Sequence, residues 1–321
     1  MTNDGPRPPI LVVVGPTAVG KSEFALLACE RFGGEVVSVD SMQVYRGLDA
    51  ATSKPGPADL RRAPHHGIDL VEPGEDFSMG DFVRASEAAM AAIAARRRLP
   101  VLVGGTGLYL RALLHGMAEA PRRAPALRER LRARAALRGV PWLHRMLARL
   151  DPETAARLPQ GDRQRLVRAL EVRFLAGRPL SALLRERPFG GRRYDAVLIG
   201  LTMERRRLHE RIDARVEAFF AAGLVEEVKR HLAAGRPPEA KAFKALGYRE
   251  VLAHLRGDCT LEEAVALTKR NTRRYAKRQG TWFRSEPGVT WFVIDPDRPD
   301  PYGEALRHAA GSLGVPETEA C

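Results

Sequence analysis

The stretch ILVVVGPTAVGKSEFALLACERF, residues 10–32, carries the main architectural signal of this chain. Its five apolar residues, 10–14, read as a strand buried on both faces, and 22–32 has the spacing of a helix. Between them lies G-x-x-x-x-G-K-S: Gly15, Pro16, Thr17, Ala18, Val19, Gly20, Lys21 and Ser22. Strand, glycine-rich loop and helix together form a cradle for phosphate. The glycines let backbone N–H groups curl around an anion and the helix presents its positive end. Lys21 adds a point charge, and Ser22 offers a hydroxyl to Mg²⁺. The octet alone also occurs as a plain glycine turn; the flanking strand and helix favour the cradle. It implies a phosphate or diphosphate, not which molecule carries it.

Downstream the pattern continues. Residues 35–39 read as a second strand ending at Asp40, 82–97 as an alanine-rich helix, and 100–103 as a strand running into Gly104-Gly105-Thr106-Gly107. Short apolar runs alternating with helices predict an α/β fold with parallel strands and helical crossovers. Residues 54–76, punctuated by proline and glycine, read as a functional loop region. From about Met117, helical patterns rich in arginine and leucine run to 187, broken at 139–141 and 158–161. Residues 194–201 then read as a strand rejoining the sheet. The expected organisation is a P-loop NTPase-like core, 1–115 and 194–321, carrying a helical, arginine-rich insertion at 116–193. Helices are expected at 205–222, at 225–234, and from a capping box of Thr260 with Glu263 toward Gln279. Residues 289–294 suggest a late strand.

Composition narrows the class. With 45% hydrophobic and 28% charged residues the 321-residue chain has the make-up of a soluble globular protein. The polar, proline-broken start, residues 1–9, holds no secretory segment, and no apolar stretch is long enough to span a bilayer. Cys29, Cys259 and Cys321 are too widely spaced for a disulfide framework or a zinc site. The expectation is a cytoplasmic protein without a membrane partner.

The net charge of +13 is concentrated. Residues 122–193 hold nineteen arginines, no lysine and six acidic residues, which accounts for the whole excess. A solvated surface normally mixes both signs, so this segment reads as the footprint of a polyanion, a nucleic acid above all. A second basic run, 269–284, carries seven positive residues and no negative one, with Tyr275, Trp282 and Phe283 interleaved. On a helix, Arg270, Arg274 and Arg278 form one stripe. Cations for phosphates and rings for stacking suit RNA loops with unpaired bases. The same pattern also fits aromatics packing a core beneath a solvated stripe.

Ligands of an open parallel sheet bind beyond the carboxyl ends of its strands. The phosphate loop, Asp40 and Gly105-Thr106 all fall at such ends. Asp40 has two chemical readings: a carboxylate holding Mg²⁺ for phosphoryl transfer, or a general base facing a second substrate. A turn-capping role is the third. Spacing leaves them open, and with them a P-loop kinase or NTPase, or a non-catalytic RNA-binding protein.

Longer motifs go further. GPTAVGKS, SVDSMQVYRGLDAATSKP, APHHGIDLVEP, VLVGGTGLYLRALLHG, QRLVRALEV, KALGYRE and AKRQGTWFR occur in this order over residues 10–291. Together they resemble the bacterial tRNA dimethylallyltransferases, also called tRNA isopentenyltransferases. The resemblance implies an enzyme, a prenyltransferase, that moves the dimethylallyl group from dimethylallyl diphosphate to N6 of adenosine 37 in tRNA. The phosphate loop would then hold the donor's diphosphate, with Mg²⁺ at Ser22. Asp40 would be the base at N6; Thr106, Arg215 and Lys21 would serve the leaving group. The implied tRNA contacts begin with Asp40, Ser41, Met42, Gln43, Thr106 and Arg128, then Gln164, Arg165, Leu166, Val167 and Arg168. They continue with Lys244, Ala245, Leu246, Gly247, Tyr248 and Arg249. The last are Lys277, Arg278, Gln279, Gly280, Thr281, Trp282, Phe283 and Arg284. The insertion would grip the anticodon stem-loop, and the chain would act as a monomer. His65 and His66 lie in one of these motifs and are expected to serve loop packing.

Overall fold

The computed structural model describes residues 9–116, 120–186 and 193–315. Strand β1 (Pro9–Val14) feeds the phosphate loop, and α1 (Lys21–Phe32) follows at once. Then come β2 (Gly34–Val39), α2 (Pro57–Arg62), β3 (His65–His66), α3 (Met79–Ala95), β4 (Leu99–Gly104) and α4 (Gly107–His115). After the helical insertion the chain returns as β5 (Asp195–Thr202), and β6 (Val289–Val293) comes last of the strands. All strand pairs are parallel, in the order β3-β2-β4-β1-β5-β6. Val12 lies opposite both Leu102 and Leu198, so β1 is central, and Ile10 to Val14 are at most 1% exposed. This is the parallel P-loop architecture expected from residues 10–32.

The chain divides into two compact units, Met1–Leu113 with Arg192–Cys321, and Leu114–Gly191. In the first, α1 and α14 (Gly303–Leu313) cover the sheet with Leu11, Val13, Phe24, Val101, Ile199 and Leu306 between them. Phe24 and Tyr302 meet edge to face, 6.0 Å apart. The second unit contains α5 (Pro125–Arg138), α6 (Val140–Leu150), α7 (Pro152–Arg157), α8 (Arg163–Ala176) and α9 (Leu180–Glu186). Its core is Leu131, Leu143, Leu147, Leu166, Val167 and Leu170. Gly139 separates α5 from α6 at a positive φ of 79°, as the glycine-proline break suggested.

Several expectations need correction. Residues 54–76 are more than a loop. Pro57 opens α2 where its missing N–H costs nothing, and the Gly56 N–H donates to Asp59. The two residues of β3 then pair with Val36 and Val37. Helix α3 starts three residues early because Ser78 caps it, accepting from the Asp81 N–H. Helix α13 (Leu261–Arg284) starts at the Thr260 capping box but runs past Gln279 to Arg284. Helices α10 (Arg205–Ala221), α11 (Leu224–Ala233) and α12 (Tyr248–Leu255) complete the first unit, with a short 3-10 turn at Lys241–Lys244. Cys321 and residues 1–8 of the polar start lie outside the described residues. No described helix is long and apolar enough to cross a membrane.

Candidate active site

Because β2, β4 and β1 are neighbours, Asp40, Gly105-Thr106 and the phosphate loop emerge side by side. A cavity of about 720 Å³ lies among them, lined by Thr17, Lys21, Ser22, Asp40, Arg215 and Gln279 among others. That volume suits a small-molecule ligand with part of a larger one.

The phosphate loop is held open by backbone form. Gly15 sits at φ 143°, and any Cβ there would run into the Leu201 carbonyl on β5. Ala18 takes the left-handed region at φ 67° and Gly20 caps α1 at φ 106°. A non-glycine residue held at positive φ is a strain that such functional loops retain. Lys21 folds back, its Nζ donating to the Pro16 carbonyl at 2.8 Å. Burial lowers its ammonium to about 7; nearby Arg215 pushes the same way and Asp40 opposes.

Asp40 caps its own turn: Oδ1 accepts from the Met42 N–H at 2.7 Å and the Gln43 N–H at 3.4 Å. Among the described residues Oδ2 has no hydrogen-bond partner. Burial raises the carboxyl above its ordinary value, while the two N–H bonds and the charges of Lys21 and Arg215 pull it back. Thr106 Oγ1 accepts from the Ser41 N–H at 3.2 Å, and the same hydroxyl also hydrogen-bonds the Tyr275 hydroxyl. Gln43 braces this loop, accepting from the Ser38 hydroxyl at 2.6 Å and donating to the Thr52 and Ser53 carbonyls.

From α10, Arg215 reaches Thr17 Oγ1 at 3.4 Å and lies over Phe219; burial lowers its pKa, while the charge of Asp40 raises it. Arg211 donates to the Ala18 carbonyl at 3.0 Å, a bond that no local sequence pattern signals. The structure thus gathers Lys21, Ser22, Asp40 and Arg215 around one cavity; Thr106 is not in its lining and stands behind it, bonded to Ser41. A metal cage is absent: among the described residues no three His, Cys, Asp or Glu side chains converge. Ser22 in the cavity fits a Mg²⁺ carried mainly by phosphate oxygens, as this ion commonly is.

Not every residue expected at an RNA is available to one. Leu166 and Val167 are core residues of the second unit, and Ala245, Tyr248 and Phe283 are buried in the first. Their apolar character already marked them for the interior. Tyr248 donates to buried Glu227 at 2.5 Å, and Glu227 also takes the N–H groups of Asp49 and Ala50. The Gly247 N–H goes to Glu250. Arg128 and Arg168 both pair with fully buried Glu171, at 2.9 and 2.7 Å. Gln164, Arg165, Lys244, Arg249, Lys277, Arg278, Thr281, Trp282 and Arg284 stay exposed; Leu246 and Gly280 are intermediate. Trp282 stacks with Arg111, whose guanidinium carbon is 4.8 Å from the ring centre. His65 and His66 form β3 rather than a loop: His66 pairs with Glu35, and His65 bonds the Ala63 carbonyl and lines the cavity.

The profile of the IPP transferase family matches residues 43–286. The chain belongs to that family. Among its relatives, tRNA dimethylallyltransferase 1 of Trichlorobacter lovleyi is 49% identical, covering 95% of this chain and 98% of its own. The tRNA dimethylallyltransferase of Geobacter sulfurreducens is 47% identical over 89% and 92%. The full-length tRNA isopentenylpyrophosphate transferase of Bacillus halodurans superposes with a TM-score of 0.70 at 40% identity, covering 95% and 96%. A eukaryotic dimethylallyltransferase acting on tRNA reaches 0.82 over 97% and 81% at 24% identity, a likeness of fold. The IPP transferase profile begins beyond the phosphate loop, whereas the Trichlorobacter lovleyi relative, covering 95% of this chain, extends over it.

Proposed function

We propose that this chain transfers the dimethylallyl group of dimethylallyl diphosphate to N6 of adenosine 37 in tRNA, giving N6-(dimethylallyl)adenosine and diphosphate. One observation carries the reading: a single cavity joins a cationic phosphate cradle to the half-buried carboxylate of Asp40, whose Oδ2 has no hydrogen-bond partner among the described residues. The relatives, named as tRNA dimethylallyltransferases, agree with it.

An exocyclic adenine amine is a weak nucleophile because its lone pair is delocalised into the ring. The allylic carbon compensates by tolerating positive charge, so departure of diphosphate is the event to assist. As the new C–N bond forms, the allylic C–O bond breaks and its electron pair leaves with the diphosphate. Lys21, Arg215 and the N–H groups of the phosphate loop stabilise that charge. Ser22 would hold Mg²⁺, which would add a further positive charge beside the diphosphate. Asp40 Oδ2 orients N6 and takes its proton, a role worth roughly 10²–10⁴-fold in general-base catalysis. The adenine must leave its stack to reach this site. Exposed Lys244, Arg249 and Arg278 at the cavity suit the RNA backbone, and the second unit, with sixteen arginines against six acids in its described part, suits the anticodon stem-loop. One chain supplies every group, in keeping with a monomer working in the cytoplasm.

Mass spectrometry of tRNA digests after incubation with the prenyl donor and Mg²⁺ tests the reading. The expected product is an adenosine carrying one five-carbon group. ATP turnover without RNA, and no prenylated nucleoside, would refute it.

A further inference from the structure

Gln279 stands in the basic run of α13, among residues expected to touch tRNA, yet it is only 5% exposed. Its side-chain amide is used at both ends inside the protein. Oε1 accepts from the Thr17 N–H of the phosphate loop at 2.8 Å, and Nε2 donates to the Gly105 carbonyl at 3.1 Å. One planar amide thus spans the loop that holds the leaving group and the loop that carries Thr106. Thr106 in turn accepts from Ser41, the neighbour of Asp40.

Three further features fit a fixed spacer. A Cβ at Gly105 would run into Nε2, so any other residue there would push the amide out of this position. Tyr275, one turn earlier on α13, points its hydroxyl at the same carbonyl, 3.5 Å away. Arg215 approaches the Thr17 hydroxyl, so Thr17 is held by backbone and side chain at once. Both of the amide's bonds are part-buried at the cavity wall, and a carboxamide donates at one end and accepts at the other, as this geometry needs. A carboxylate would keep the bond from Thr17 and lose the one to Gly105; a thioether would lose both.

We propose that Gln279 is a positioning residue that sets the distance between the diphosphate cradle and the Thr106–Asp40 side of the site, rather than a reader of RNA. The inference rests on the prenyl-transfer reading. A misplacement of about 1 Å between reacting groups costs on the order of 10²-fold in rate. Breaking one or both bonds should therefore lower kcat by about 10–100-fold while tRNA affinity stays within about twofold.

The test uses the full chain, tRNA and dimethylallyl diphosphate. Single-turnover rates, KM for the donor and Kd for tRNA are measured for the unaltered protein, Gln279→Glu, Gln279→Met and Gly105→Ala. Absence of transfer by the unaltered protein would refute the functional reading itself. Given transfer, the expected result is a fall in kcat in Gln279→Met and Gly105→Ala with tRNA Kd unchanged. Because both break the same bond, the double variant should be no slower than about threefold below the worse single. Gln279→Glu keeps the volume and the Thr17 bond; it carries the test if Gln279→Met melts, and should lie between. Weakened tRNA binding with kcat intact, or fully multiplicative losses in the double variant, would overturn the proposal.

Discussion

The ammonium of Lys21, held at about 7 by burial, makes diphosphate binding a proton-uptake reaction. Below pH 7 the empty site is charged; as pH rises the charge is lost. The charged fraction is about one half at pH 7 and about one tenth at pH 8. The bound donor, dimethylallyl diphosphate, holds the proton on, since as a phosphate ester its last ionisation lies near pH 6 and it stays highly anionic throughout. Binding should therefore take up about 0.5 proton at pH 7 and about 0.9 at pH 8, and the apparent Kd should rise about fivefold between them. Calorimetry with dimethylallyl diphosphate and Mg²⁺ in the absence of tRNA, in buffers of low and high protonation enthalpy, reads the uptake. Lys21→Arg, charged at all these pH values, should show none. Equal Kd at pH 7 and 8, with no uptake by the unaltered protein, would exclude a neutral Lys21 in the empty site.

Other outcomes follow from the same geometry. Asp40→Asn keeps the acceptor for Met42 and Gln43 but not the base, so single-turnover prenylation should fall by about 10²–10⁴-fold with tRNA binding retained. Arg130, Arg134, Arg145 and Arg149 are exposed on α5 and α6 and, among the described residues, no acidic side chain pairs with them. Replacing all four with alanine should weaken tRNA binding and flatten log Kd against log salt, by up to about 0.7–0.9 for each phosphate no longer neutralised. Glu171→Ala should be different in kind. It strands Arg128 and Arg168 beside a buried hole, so unfolding by urea should show a stability lower by about 3 kcal/mol.

The chain's local chemistry reports some of this before any folding. The run from Ile10 to Ser22 sets strand, loop and helix because apolar residues, glycines and a helix start are local signals. The clustering of arginine in residues 122–193 and the order of the longer motifs are likewise matters of position along the chain. Even the break at Gly139 is legible, since glycine and proline act on their own backbone. The sheet order was not. Only strand pairing brings Asp40, at the end of β2, and Gly105, just past β4, to the cavity that Lys21 lines. Only burial then turns that lysine into a group that titrates near neutrality. Burial also separates Arg165, which faces solvent, from Arg168, which serves Glu171, although both are arginines in one motif. Gln279 is the sharpest case. In sequence it belongs to a basic, RNA-like run; in space its amide faces inward and joins two loops from distant parts of the chain. Hydrogen-bond partners that far apart are chosen by packing, and no local pattern encodes them.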